Sequence, residues 1–199
     1  MKKLRSLCVF CGSRFGADAA FAEAAEQLGR CLAERGVRLV YGGGSIGLMG
    51  VVMQAVLDNG GQVTGVIPEF LMQREVGNPA LTELVVVDSM HERKRRMFEL
   101  ADAFAILPGG LGTLDETIEI ITWQQLRLHS KPIAVLSVGD YWANFETLID
   151  RIIEHGFADA GIRALYSVAG DVESLLASLE ARAAAEPAGS TQGPSGQKL

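Results

Sequence analysis

Gly109, Gly110, Leu111, Gly112 and Thr113 form the stretch of this chain best suited to hold an anion. The glycines leave backbone amides bare, Thr113 adds a hydroxyl, and a helix is expected to begin there. Amides and a positive helix end together favour a group such as phosphate. Thr113-Leu114-Asp115-Glu116 also fits a capping box, with Thr113 as the N-cap, and capping alone would account for Glu116. Ser89-Met90-His91-Glu92 repeats the pattern. The functional alternative is that a carboxylate one helical turn inside an anion site acts on the ligand. Asp115 needs no more than its favourable place in a first turn. Arg93-Lys94-Arg95-Arg96 is the only dense basic cluster. Most charge runs are solvated helix faces. This one starts one turn into a helix that follows a strand, which predicts Arg93 and Lys94 as ligand-binding members and Arg95 and Arg96 as surface residues.

Other patterns carry less. Gly42-x-Gly44-x-x-Gly47 matches a dinucleotide fingerprint in form, but it follows the second strand, not the first, and serves equally as a tight strand-to-helix turn. Cys8-x-x-Cys11 imitates a redox or zinc pair, yet on a strand that spacing points the two thiols to opposite faces. His91, His129 and His155 are scattered, so no metal site is expected. There is no Gly-x-Ser-x-Gly elbow. Of the lysines, only Lys94 and Lys131 are placed to hold pyridoxal, and no cofactor is expected.

The elements that must position these groups alternate in period. Short apolar runs at 4–11, 37–41, 63–67, 84–87, 103–107, 132–138 and 165–168 read as strands. Segments 19–35, 48–57, 91–101, 113–128, 142–155 and 172–182 read as helices. Strands apolar throughout and separated by helices imply an α/β fold: a Rossmann-like, doubly wound parallel sheet with helices on both faces. In such sheets ligands bind at the carboxyl ends of strands, where the loops after Cys11, Tyr41 and Leu107 fall. A chain of 199 residues suits one domain, here 1–185, and 186–199 is a polar tail expected to be disordered. With 48% hydrophobic residues and a net charge of −6, the composition argues against nucleic-acid and membrane-surface partners. No apolar run approaches the ~20 residues of a membrane span, and three cysteines suit a reducing cytoplasm.

These residues carry a resemblance. Pro108 to Glu116, preceded by Met90-His91-Glu92-Arg93-Lys94, resembles the paired signature of the Lonely Guy family, cytokinin riboside 5′-monophosphate phosphoribohydrolases, some once mislabelled lysine decarboxylases. The similarity runs from Cys8 to about Leu176 and includes Phe10-Cys11-Gly12-Ser13, Tyr41-Gly42-Gly43-Gly44 and Thr122-Trp123. It implies a cytokinin-activating hydrolase that cleaves the N-glycosidic bond of adenosine 5′-monophosphate (AMP) or an N6-modified AMP, releasing base and ribose 5-phosphate. It implies Arg93 and Glu116 as the catalytic pair. Glu75, Lys94, Gly110, Leu111, Gly112, Thr113, Leu114, Asp115 and Thr122 are then substrate contacts, with Ser13 and Gly43 from the two earlier loops completing the binding set. It also implies a homodimer with the nucleotide near the interface. Where the family commonly has a Glu pair, this chain has Asp115-Glu116. The alternative is a non-catalytic nucleotide-binding or molybdenum-cofactor carrier of the same fold. A carrier needs the glycine loop but not both Arg93 and Glu116.

Overall fold

The computed structural model describes residues 3–72 and 81–185. Within them the apolar runs form one sheet of seven strands: β1 (Ser6–Phe10), β2 (Arg38–Tyr41), β3 (Val63–Pro68), β4 (Glu83–Val87), β5 (Ala103–Ile106), β6 (Ile133–Leu136) and β7 (Ser167–Ala169). Their order is β4-β3-β2-β1-β5-β6-β7, and every pairing is parallel. The helices are α1 (Ala19–Arg35), α2 (Gly47–Asp58), α3 (Glu69–Met72), α4 (Met90–Leu100), α5 (Leu111–Gln125), α6 (Ala143–Glu154) and α7 (Val172–Ala185). The chain winds outward from β1 in both directions, so the doubly wound reading holds.

Strand periodicity divides the core in two. Leu7, Val9, Leu39, Tyr41, Ala103 and Ala105 face α1, α2 and α7. Cys8, Phe10, Val40, Phe104 and Ile106 face α4, α5 and α6. Successive strand side chains must alternate faces, and for that reason Cys8 and Cys11 fall in opposite halves. Phe98 of α4 packs edge-on against Trp123 of α5, with ring centroids 5.2 Å apart, and lies parallel to Phe104 of β5 at 5.7 Å. This aromatic cluster fixes α4 and α5 side by side on one face.

Local rules set most ends. Asp18 caps α1 by accepting from Ala20, and Gly36 ends it in the left-handed region at φ 65°. Ser89 caps α4, its hydroxyl accepting from the Glu92 amide at 3.2 Å. Three features differ from expectation. The strand expected over 132–138 stops at Leu136, because Gly139 and Asp140 take positive φ in a short 3-10 turn. The short α3 and a 3-10 turn at Ala160–Ala164 have no periodic signal, being too brief to show one. The third difference, at the start of α5, belongs to the site. Both Glu75 and the tail at 186–199 lie outside the described residues. Among the described residues no helix is long and apolar enough to cross a membrane.

Candidate active site

The sheet order puts β1 between β2 and β5, where the two winding directions meet. Phe10 and Ile106 are in register, so the loops leaving β1 and β5 run together. Gly12 donates to the Pro108 carbonyl at 3.0 Å, and a Cβ on Gly109 would sit 2.9 Å from the Gly12 nitrogen. Glycine is required there for two backbones to approach.

The glycine turn feeds α5 earlier than a threonine cap would. Gly110, extended at φ −93° and ψ −157°, is the N-cap, and the helix begins at Leu111. Thr113 is therefore inside the first turn, a correction to its expected role as cap. Gly110 has no side chain to satisfy the helix start, and no side-chain cap bond is made. The Leu114 amide bonds the Gly110 carbonyl at 3.0 Å, so the helix's own ladder begins there, and the amides of Leu111, Gly112 and Thr113 precede it. A Cβ at Gly110 or Gly112 would meet nothing within 4 Å. These glycines keep the approach to the amides clear.

Glu116 does not cap. Its Oε1 accepts from Arg93 Nη1 at 3.2 Å, and each residue is 8% exposed. The capping account of Glu116 fails because the N-cap is Gly110, three residues ahead of the Thr113 that geometry needs. Arg93 is held on two further sides: Nε donates to the Val66 carbonyl at 3.2 Å and Nη2 to the Gly42 carbonyl at 3.4 Å. Its guanidinium thus joins β3 and the turn just after β2 to α5. Burial pushes the Glu116 carboxyl up to about 7. Arg93 and Lys94 oppose that rise, whereas Asp115 and Glu119 add to it.

A cleft of about 260 Å³ opens on this pair. Among its walls are Ser13, Gly110, Leu111, Gly112 and Thr113, with Met49, Met90 and Met97 supplying a soft apolar side. Ser13, Arg93, Glu116 and the stretch 110–113 are thus brought together. Lys94 and Asp115 do not line the cleft; Lys94 Nζ bonds Asp115 at 3.2 Å and Glu119 at 3.1 Å. Burial works against the Lys94 charge, but those two carboxylates outweigh it and hold its pKa up. Leu114 packs into the aromatic half of the core, and Thr122 is exposed further along α5. Gly43, at φ 79°, abuts Ile67, whose Cβ would lie 2.9 Å from an added one. Arg95 is exposed and Arg96 half-buried at the surface, and they pair with Glu92 and Glu99, as expected.

Three contributions escaped the sequence. Tyr141 donates its hydroxyl to the Gly109 carbonyl at 2.5 Å and braces the glycine turn from outside. Gly42 and Val66 act through backbone carbonyls, for which no side-chain pattern exists. Among the described residues no group of His, Cys, Asp and Glu is placed to hold a metal ion.

Fold and cleft define a Rossmann-like α/β protein with a buried acid–guanidinium pair at the carboxyl edge of its sheet. A family model described as "Possible lysine decarboxylase" matches residues 49–179. A protein of Oryza sativa subsp. japonica named a probable cytokinin riboside 5′-monophosphate phosphoribohydrolase is 49% identical over 181 residues, 91% of this chain and 79% of that one. A cytokinin riboside 5′-monophosphate phosphoribohydrolase of Arabidopsis thaliana is 44% identical over 178 residues, 89% of this chain and 84% of its own. The chain belongs to this family, the one the Lonely Guy resemblance indicated. Among solved structures, the molybdenum cofactor carrier protein of Chlamydomonas reinhardtii superposes with a TM-score of 0.69 at 21% identity, over 92% of this chain and 99% of the carrier. At that identity the likeness is one of fold.

Proposed function

We propose that the protein hydrolyses the N-glycosidic bond of AMP or an N6-modified AMP, giving free base and ribose 5-phosphate, as the names of its relatives describe for cytokinin riboside 5′-monophosphates. The buried Arg93–Glu116 pair, one turn inside an uncapped glycine helix start, carries the reading. Phosphate on the amides of Leu111, Gly112 and Thr113 anchors the nucleotide by dipole and hydrogen bond. One turn of helix advances ~5.4 Å, a span the ribose bridges to bring its anomeric carbon to Glu116. Cleavage develops positive charge on the sugar. The Glu116 carboxylate stabilises that charge and accepts the proton of the attacking water as the C1′–N bond breaks; the base leaves with the bonding electron pair and takes a proton from solvent, balancing the one that Glu116 then returns to solvent. Arginine side chains act in proteins as fixed guanidinium cations and not as proton donors. Arg93 orients Glu116 and offsets the cost of ionising it.

Incubation with AMP and with its N6-isopentenyl analogue, followed by chromatography, tests the activity. Free base and ribose 5-phosphate are expected, and release from neither nucleotide overturns the reading. Thr113→Val keeps the side-chain shape but removes a hydroxyl at the anion site. It is expected to raise KM for AMP about tenfold, the equivalent of one hydrogen bond to a charged group, and to leave adenosine binding unchanged. Equal weakening of both would move the phosphate elsewhere.

The reading includes a homodimer in the cytoplasm. Ile118 on α5 is 38% exposed and Leu126 at its C-cap 63%, although Ile120 and Ile121 on the same helix are buried. Apolar side chains on a second face call for cover from another surface. The free thiols Cys8, Cys11 and Cys31 accord with a reducing compartment. Light scattering on residues 1–186 is expected to give twice the chain mass, and a fully active monomer would refute the assembly.

A further inference from the structure

Arg93 is less a free arm than a part of the wall. Each guanidinium nitrogen has a partner, two of them main-chain carbonyls, Gly42 just after β2 and Val66 within β3. The space it fills is bounded by Gly42. A Cβ built on Gly42 would run into Arg93 Nη2, and would stand 3.0 Å from Arg93 Cζ and 3.3 Å from Met49 Sδ. Gly42 is not among the residues at positive φ, so left-handed backbone does not bar an L-residue there. Glycine is needed here for room and not for conformation, which separates Gly42 from Gly43 and Gly47, both at positive φ.

We propose that Gly42 is a positioning residue of the site: its missing side chain and its carbonyl oxygen together seat the Arg93 guanidinium against Glu116. The proposal rests on the hydrolase reading above. A methyl at position 42 displaces Nη2, breaks the bond to the Gly42 carbonyl, and swings the charge off Glu116. The other groups around Glu116 leave it no substitute. Asp115 and Glu119 on its own helix are acidic, and Lys94 of α4 is bound to both of them. The nearby thiols, Cys8 in β1 and Cys11 just after it, are held protonated by burial. A carboxyl that loses its countercharge while staying buried titrates higher, by about 1–3 units. The ionised form needed for catalysis then appears only at higher pH.

The test is Gly42→Ala measured for base release from AMP across pH 5–9, alone and together with Arg93→Ala. The wild type is assayed first: if it releases no base, the hydrolase reading fails, and nothing is charged to Gly42. With an active wild type, Gly42→Ala is expected to lower kcat about ten- to a hundredfold at pH 7, leave KM for AMP nearly unchanged, and move the acid limb upward by about 1–3 units. In the Arg93→Ala background the methyl enters vacated space, so adding Gly42→Ala should change neither rate nor melting temperature. Should Gly42→Ala alone fail to fold, a double variant that folds like Arg93→Ala still supports the proposal, since it traces the clash to Arg93. A loss uniform across pH, an equal loss in both backgrounds, or a double variant that also fails to fold overturns it.

Discussion

Glu116→Gln is expected to lower base release from AMP by about 10²–10⁴-fold, the range a positioned acid–base group supplies. The amide occupies nearly the same volume and can still accept from Arg93, so the fold should remain. Stability gives a second readout. The Glu116 carboxyl titrates near 7 in the folded protein because of burial, against a reference of 4.5. The folded state therefore holds the proton more tightly than the unfolded chain. Stability from this group is fully present below about 4.5, and is lost as pH rises through about 7. The span corresponds to about 3 kcal/mol. Relative to Glu116→Gln, the wild type should thus melt progressively lower between pH 5 and pH 8. A variant that turns over AMP at the wild-type rate would reduce Glu116 to a structural residue. A melting difference that does not change with pH would remove the burial account of its titration.

Arg93→Ala should be the more damaging change to the fold. Deleting one member of a buried pair leaves the other charge uncompensated, at a cost of about 3–5 kcal/mol, and the Val66 and Gly42 carbonyls lose their donor as well. In a domain of this size that lowers Tm by roughly 10 °C. Base release at pH 7 falls about 10- to 10³-fold, because unpaired Glu116 titrates about 1–3 units higher and is then mostly protonated. The stability cost should shrink at pH 5, where Glu116 is neutral with or without Arg93. Arg93→Lys is not expected to restore either property. A single ammonium cannot reach three acceptors set around a planar fork. Calorimetry at pH 5 and pH 8 on both variants checks this. An Arg93→Ala protein with wild-type Tm and activity would show that the pair contributes nothing.

These effects point to a division of labour along one edge of the sheet. The start of α5 offers main-chain donors to an anion, and one turn later its side chain offers a carboxylate. From the opposite helix, α4 supplies the charge that makes the carboxylate usable. The stabilising features lie elsewhere, in the two apolar halves of the core. The site carries a carboxyl whose burial costs stability as pH rises through about 7, the trade between function and fold that the proposed hydrolase role implies.

Much of this is local and was legible in the amino-acid order. Apolar runs separated by helical periods dictate a parallel sheet, since only strands covered on both faces are apolar throughout. Two-residue alternation by itself sends Cys8 and Cys11 to opposite sides. Ser89 and Glu92 are close enough in sequence to declare the start of α4, and the glycines at 109–112 mark the place an anion could sit. What the tertiary structure alone decided are contacts between distant segments. Arg93 and Lys94 look equivalent in sequence; only the packing of α4 against α5 turns Arg93 into the cleft and ties Lys94 to Asp115 and Glu119. The Val66 and Gly42 carbonyls meet Arg93 across 27 and 51 residues of chain, and a carbonyl is the same in every residue type. Gly110 in place of Thr113 as the cap of α5 is a related case, because the backbone entering from β5 sets where the helix can start. Local pattern records which face a side chain takes on its own element. It cannot record what comes to meet that face, because the distance between two elements is fixed by the summed packing of everything between them.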